Sequence, residues 1–478
     1  GVFPKSRLVE RLDQAADYLV PARFKADLRA AALGDESDVT FELDGVAGGV
    51  NTRFDGRLKG RTGQWREAGL ESTLELSGPD GGQILRQLGF EILPVDDLGN
   101  ALLKVTATGR PLDGLDVAVE GTAGDASIVA EGQLRLPERG DPRYNLGVTA
   151  SVPDLAPFAL LSGRVLPVMA GDIDVDMHFD LAGEGTKIDV TDLSGGIAGV
   201  AVDGHFGGDL VPVPGESNRR LKGQLHVGRL DLQFLSEAIL GPDQWFSAGD
   251  GTSIWPTTSL GTPLFSSTDL TLDLRADEMV FDGGDAVENA RSELRLTPVM
   301  LRLDGLSGSY GGAKLTGALA LRRSGAEGAI SGRVKLEGAP LQSLVWQRDG
   351  RAVATGSLDL AMDFEGAGRS IAVMVSGLTG GGTFAVTDGE LRGINPQAFG
   401  LVIRAADAGL DLRDDKIHDV FLSYMDAGSL TFDKLEGAIS LVGGRANARN
   451  VVLDSRRAEV FGSAEVDFNT WQLDSDFS

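Results

Sequence analysis

The sequence predicts a mainly β protein: an elongated, curled antiparallel β-sheet, a β-groove of divergent repeats with short capping helices. Three observations predict it. Long stretches alternate apolar and polar residues with period two, the pattern of a sheet with one dry face and one wet face. Glycine supplies 66 of 478 residues, about twice the usual share, which suits many short strands joined by tight turns. One phrase, a strand running into a short apolar helix, recurs five times.

Residues 1–37 come first and read as short helices. In "PKSRLVERLDQAADYLVPARFKADLRAAALG", Pro4 stands near the start, Pro21 breaks the run and Gly34 stops it, which predicts two helices. From Asp38 the period switches to two, and β-groove repeats are expected over 38–230. "DIDVDMHFD" sets Ile173, Val175, Met177 and Phe179 against aspartates and His178. A second β-groove region is expected over 231–478. There "DLTLDLRAD" sets Leu270, Leu272 and Leu274 against Asp269, Thr271, Asp273 and Arg275. "SLDLAMDFE" sets Leu358, Leu360, Met362 and Phe364 against Asp359, Ala361, Asp363 and Glu365. Spacing of this kind gives roughly 25–30 strands. Thr383 to Leu391 also alternates, and Asp388-Gly389 marks a tight turn within it. Pro396 opens a helix whose stripe Phe399, Val402, Ile403 and Ala406 is expected to pack on the sheet.

The recurring phrase falls near Pro79, Pro153, Asp231, Pro340 and Pro396. A second recurrence is a strand with glycine near its centre, in "IVAEGQLRL", "VAVDGHFGG", "AKLTGALAL" and "AEVFGSAEV". Mid-strand glycine marks a bend or bulge. The copies are irregularly spaced, so they are divergent repeats. A sheet this large cannot leave its apolar face open: it closes, stacks or curls around something. The glycine bends favour curling, with the helices as covers.

Composition excludes several functions. The net charge of −26 argues against nucleic acid, which needs clustered Lys and Arg. With no cysteine there is no disulfide, thiolate metal site or Cys nucleophile. His178, His205, His226 and His418 are scattered and make no HExxH pair. "GDIDVDMHFDLAG" lacks the spacing of a calcium loop. "GLSGSYGGAKLTG" lacks the GK[ST] of a phosphate loop, since Leu315 follows Lys314. No GxSxG elbow occurs. No catalytic residue, metal or cofactor is expected, and the chain is read as not an enzyme. No stretch reaches 18 apolar residues, and Leu155 to Ala170 is broken by Pro157, Arg164 and Pro167. Both ends look cut, so the chain is read as a soluble segment of a longer protein. Met177, Met362 and Phe364 have two readings, ordinary core or the lining of an apolar channel.

Several phrases in one order resemble the AsmA family, the AsmA-, YhdP- and TamB-like proteins. "DLTLDLRADEMVFDGGDAVENARSELRLTPVMLRLDGLSGSYGGAKLTGALAL" carries the family's small segment at Tyr310, Gly311 and Gly312, then the central Gly317. "TFAVTDGELRGINPQAFGLV" matches the C-terminal phrase at Asp388, Gly389, Gly393, Ile394 and Asn395, with Pro396 where Leu is common. "FDKLEGAISLVGGRANARNVVLDSRRAEVFGSAEVDFNTWQLD" resembles the family's stretch after that phrase. The resemblance covers about 230 to 475. It implies a periplasmic protein anchored in the inner membrane by a segment absent from this chain. It also implies a bridge that moves phospholipids toward the outer membrane along an apolar groove. The expected groove residues are Ile173, Val175, Met177, Phe179, Leu270, Leu272, Leu274, Leu358, Leu360, Met362 and Phe364. About 27 strands would give a trough on the order of 130 Å. The alternative is a structural or chaperone-like scaffold for outer-membrane protein assembly, with a polypeptide partner and no lipid.

Overall fold

A computed structural model describes residues 16–477 except 62, 91, 94–97, 162, 164–165, 167–172, 243–244, 246–252, 265–266, 282–283, 285, 346, 349, 410–412 and 456–458. The protein is mainly β, one long curled antiparallel sheet with a few short helices. Twenty-three strands make the sheet, and a separate hairpin pairs Gln347–Arg348 with Arg351–Ala352. Strands pair with their neighbours in sequence, as in Val50–Arg61 with Gly69–Gly78 and Glu327–Pro340 with Ala354–Gly368. Local sequence explains this meander. Gly48-Gly49, Gly311-Gly312 and Gly443-Gly444 each hold two successive positive φ angles, the requirement of the two-residue turn that matches strand twist.

Two sequence expectations are corrected. Of the predicted N-terminal helices, residues 1–15 lie outside the described residues. Ala16–Leu19 is a 3₁₀ turn, but Ala22–Leu33 is a strand, paired along its whole length with Glu36–Ala47. The alanines favour helix, yet "RFKADLR" also alternates, and twelve register pairs outweigh a propensity of tenths of a kcal/mol per residue. The second correction concerns Asp388-Gly389. Thr379–Arg392 is a single strand, and this dipeptide is a bulge within it, opposite Ala354–Gly368, rather than a turn. Register slips against Ala354–Gly368, between Ser357↔Thr387 and Thr355↔Glu390, and Asp388 takes φ +52°.

Bulges of this kind recur. Asp192, Asn289 and Gly305 sit at register slips with φ of +51°, +51° and +61°. Asp, Asn and Gly are the residues that enter this left-handed region at least cost. Three of the four mid-strand glycines then find their place, while Gly132 pairs in unshifted register on both sides. Gly204 pairs with Leu193, Gly317 with Leu306 and Gly462 with Val451, each the first pair beyond a bulge on the preceding strand. Bulge and glycine together bend the sheet.

Contacts divide the chain into two compact units, residues 1–228 with 266–272 and residues 229–265 with 273–478. In the first, helix α1 (Gly81–Gln87) follows strand Gly69–Gly78, and α2 (Ala156–Leu161) follows Arg143–Val152. Asp80 accepts the Gly82 amide at 2.8 Å and Asp154 accepts the Ala156 amide at 2.9 Å, which is why Pro-Asp after a strand starts a helix here. Ile84 of α1 packs into a core of Val50, Leu76 and Ala101.

In the second unit α3 (Leu232–Leu240) is capped by Asp231, and α4 (Ile371–Ser376) by Ser370. Both lie at one end of the strands. Arg323 donates there to the carbonyls of Ile239 and Leu240, at 3.1 and 3.0 Å. A strap over 253–264 crosses the same end. The Leu260 amide donates to Arg369 O at 3.1 Å, and Trp255 Nε1 donates to Phe468 O at 2.7 Å. The opposite end is closed by Leu341 of a 3₁₀ turn and by Leu391 and Ile394, over a core of Leu336, Leu358, Val386, Leu430 and Phe432.

Helices α5 (Ala398–Asp407) and α6 (Asp414–Asp426) pack on each other. The expected stripe of α5 is half wrong. Val402 is buried with Ala398, but Phe399 is 70% exposed and Ile403 50% exposed. Neighbouring α6, which the sequence reading did not place, packs against α5.

Candidate functional site: an apolar rank across the strands

In the first unit, register aligns apolar residues strand by strand. Leu43 faces Phe54, Phe54 faces Leu74, Leu74 faces Val105, and Val105 faces Val119. Val119 faces Ala130, Ala130 faces Val148, and Val148 faces Phe179. This is one unbroken apolar rank over eight strands, about 35 Å along the sheet at ~4.8 Å per strand. Ala130 and Val148 are buried, while the other six are half-buried. The rank is therefore neither a sealed core nor a free surface.

The wet face carries the alternating charges. Arg57 pairs with Asp38 at 2.6 Å, and Arg143 with Glu184 at 3.3 Å. The Arg57 guanidinium beside Asp38 holds that carboxyl below its ordinary range. His178 lies 3.1 Å from Thr149 Oγ1, and His226 lies 2.8 Å from Asp203. These histidines serve the sheet surface.

In the second unit Leu303 faces Leu319, then Gly332, Phe364, Gly380 and Leu441 follow in register. One step along, Gly317, Val334, Met362, Gly382 and Ile439 make a parallel rank. Glycine under aromatic rings is part of the design: a Cβ on Gly332 would fall 2.4 Å from Phe364 Cζ. Val334, Met362, Phe364 and Ile439 are half-buried, between the covered strand ends. The opposite face again holds ion pairs, such as Arg333 with Asp363 at 2.6 Å.

The predicted groove residues separate into two groups. Val175, Met177 and Phe179 pair with Val152, Ala150 and Val148, and all three are half-buried in the first unit's ranks. Leu360, Met362 and Phe364 share the half-buried face of Ala354–Gly368, and Leu270 is half-buried too. Ile173, Leu272, Leu274 and Leu358 are buried, so they support the apolar face and do not line its open part.

Sequence reasoning missed the richest stretch. Strands Ala101–Arg110, Gly114–Ala123, Ala126–Arg135 and Arg143–Val152 supply half of the first rank. Their alternation is diluted by Ala, Thr and Gly, though "LDVAVEG" shows it. Their ends meet α1 and α2 around an apolar cavity of about 270 Å³, lined by Ile84, Leu85, Leu98, Leu103, Ile128 and Phe158 among others.

Among the described residues no group of three His, Asp or Glu is placed to hold a metal, and no helix is long and apolar enough to cross a membrane. No family model, curated protein or solved structure matches this chain.

Proposed function

We propose that this chain carries lipid acyl chains along its apolar face, as a segment of a bridge-like phospholipid transfer protein of AsmA type that works in the periplasm and serves outer-membrane biogenesis. It does no covalent chemistry. Anchoring to the inner membrane and contact with the outer one fall to segments outside this chain. One observation supports this above the others: the rank from Leu43 to Phe179 is apolar at every strand and only half-buried at six of its eight positions. A half-buried apolar surface gains about 25 cal/mol for each Å² it removes from water. A hydrocarbon chain laid along the rank removes that area without a polar partner. Repetition of Leu, Val, Ala and Phe gives no single deep trap, so a chain slides from strand to strand. The head group stays in water beside the open side.

Photo-crosslinking tests this directly. Benzoylphenylalanine at Val119 should capture phospholipid, identified by mass spectrometry, while the same group at neighbouring Glu120, on the exposed face, should not. Equal capture at both positions, or none at either, would refute the proposal.

A second reading has its own observation. Strand Ala22–Leu33 pairs on one side only among the described residues, and its Leu28 is 67% exposed. Such an edge can add a strand from a client polypeptide, as a scaffold for outer-membrane protein assembly requires. Capture of peptide rather than lipid would favour it.

A further inference from the structure

The cavity under α1 and α2 is an apolar space of the first unit. Its floor is made by strand ends: Leu103 faces Gly121, Gly121 faces Ile128, and Ile128 faces Ala150. Ala150 faces Met177. The cavity floor is thus the start of an apolar rank, one step from the Leu43–Phe179 rank. Its roof is Ile84, Leu85 and Leu88 of the α1 segment and Phe158 of α2. Leu88 and Ile128 line the cavity yet are 36% and 44% exposed, so the space opens to solvent at its side. The chain beyond α1 is tied to the end of α2, where the Leu93 amide donates to Leu161 O at 2.7 Å.

We infer that this cavity is a side port that takes the end of one acyl chain and feeds it to the rank. The inference rests on the proposed lipid reading and adds an entry point to it. Size fixes the occupant. About 270 Å³ is below the ~300–1,000 Å³ of pockets that hold whole drug-sized ligands. Part of a molecule fits, one chain and not two. Chemistry agrees, because among the described residues the wall offers only Thr122 and Ser127 as polar side chains, too little to desolvate a charged head group. The head group therefore stays at the mouth beside Leu88, and the tail lies over Leu103 and Ile128. Small residues make the room: Gly81, Ala101, Ala123 and Ala126 all line the space. A Cβ on Gly81 would come within 3.1 Å of Ala123 Cβ, so α1 sits as close to the strands as a helix can.

The test uses the full chain and a long-chain fatty acid bearing a diazirine and an alkyne, with crosslinks located by peptide mass spectrometry. Wild type should be labelled around Phe158 and Leu103 and also around Phe54, which lies on the neighbouring rank outside the cavity. Ala123→Phe fills the cavity and should abolish label at Phe158 while leaving label at Phe54. Ala126→Met is the milder filler and should reduce the Phe158 label if Ala123→Phe fails to fold. Label at Phe54 with none at Phe158 in wild type would overturn the port and leave the transfer proposal standing. Unchanged Phe158 label in a folded filler variant would also overturn the port. No label at either place would overturn both.

Discussion

Met362→Asp separates an open apolar face from a closed core. Met362 lies between Val334 and Gly382 and is half-buried. Losing half of a methionine's burial costs about 1 kcal/mol, and water at the open side keeps the new carboxylate solvated. Leu303→Asp is the matched control, because Leu303 is 0% exposed in the same unit. There the lost burial of about 2 kcal/mol adds to at least ~2 kcal/mol for an unpartnered polar group, and ionisation raises it further. Against a typical stability of ~5–15 kcal/mol, the control should lose a large share of the protein's stability and Met362→Asp only a small one. Urea melts followed by tryptophan fluorescence measure the difference. The same samples, extracted for phospholipid, measure occupancy, which should fall in Met362→Asp. A Met362→Asp melt that matches the Leu303→Asp melt would mean a sealed core. A normal melt with undiminished lipid would mean that acyl chains do not lie on this face.

Other outcomes depend on single sites. Asp388 has φ +52°, so Asp388→Val should cost about 1–2 kcal/mol in a urea melt while Asp388→Gly costs little. Phe399→Asp should leave the melting temperature unchanged because Phe399 is exposed, whereas Val402→Asp, at a buried position, should lower it by several degrees. Asp467 accepts the Asn469 amide and its side chain, both at 2.8 Å, and pairs with Arg445, so its carboxyl is held below the ordinary 3.8. Its contribution is full above 3.8 and is lost as pH falls through the lower folded value. Protection from hydrogen exchange in strand Gln472–Phe477, relative to the intrinsic rate at each pH, should therefore fall on acidification, and Asp467→Asn should blunt that change.

How much of this was legible in the sequence varied with the range of the deciding contact. "SLDLAMDFE" shows its face by alternation alone, and strand Ala354–Gly368 displays Leu360, Met362 and Phe364 on the face expected. The helices after Gly78, Val152 and Asp231 were legible because Asp caps a helix through its own neighbours. Asp388-Gly389 was not, because a hairpin turn and a bulge both demand residues that accept positive φ. Only pairing on both sides, with Ala354–Gly368 and Ser429–Val442, decides for the bulge. "ARFKADLRAAAL" fits helix by propensity and strand by period, and its partner Glu36–Ala47 settles the choice. The cavity was invisible for the same reason: Ile84 and Phe158 are far apart in sequence and meet only over strand ends.

The mid-strand glycines carry the last prediction. Gly204, Gly317 and Gly462 each stand twelve residues after Asp192, Gly305 and Asn450, residues that lie in the bulges of the preceding strands. A bulge increases local twist, and the strand beyond it must accept the bend. Close approach results: a Cβ on Gly317 would lie 2.4 Å from Arg333 O, and one on Gly204 2.3 Å from Gln224 O. Those carbonyls are backbone and cannot turn away as a side chain does. Gly317→Ala should therefore force strand Glu327–Pro340 outward and cost about 1–3 kcal/mol, the range of overpacking. Gly69→Ala is the control, since its Cβ would meet nothing nearer than Lys59 O at 3.7 Å. Lipid occupancy should fall with Gly317→Ala because Gly317 and Val334 stand in the Met362 rank, and flattening there widens the rank against a chain it must hold. If Gly317→Ala melts like Gly69→Ala, the glycine does not set the bend. If it destabilises the protein yet leaves occupancy intact, curvature belongs to folding alone and lipid does not depend on it.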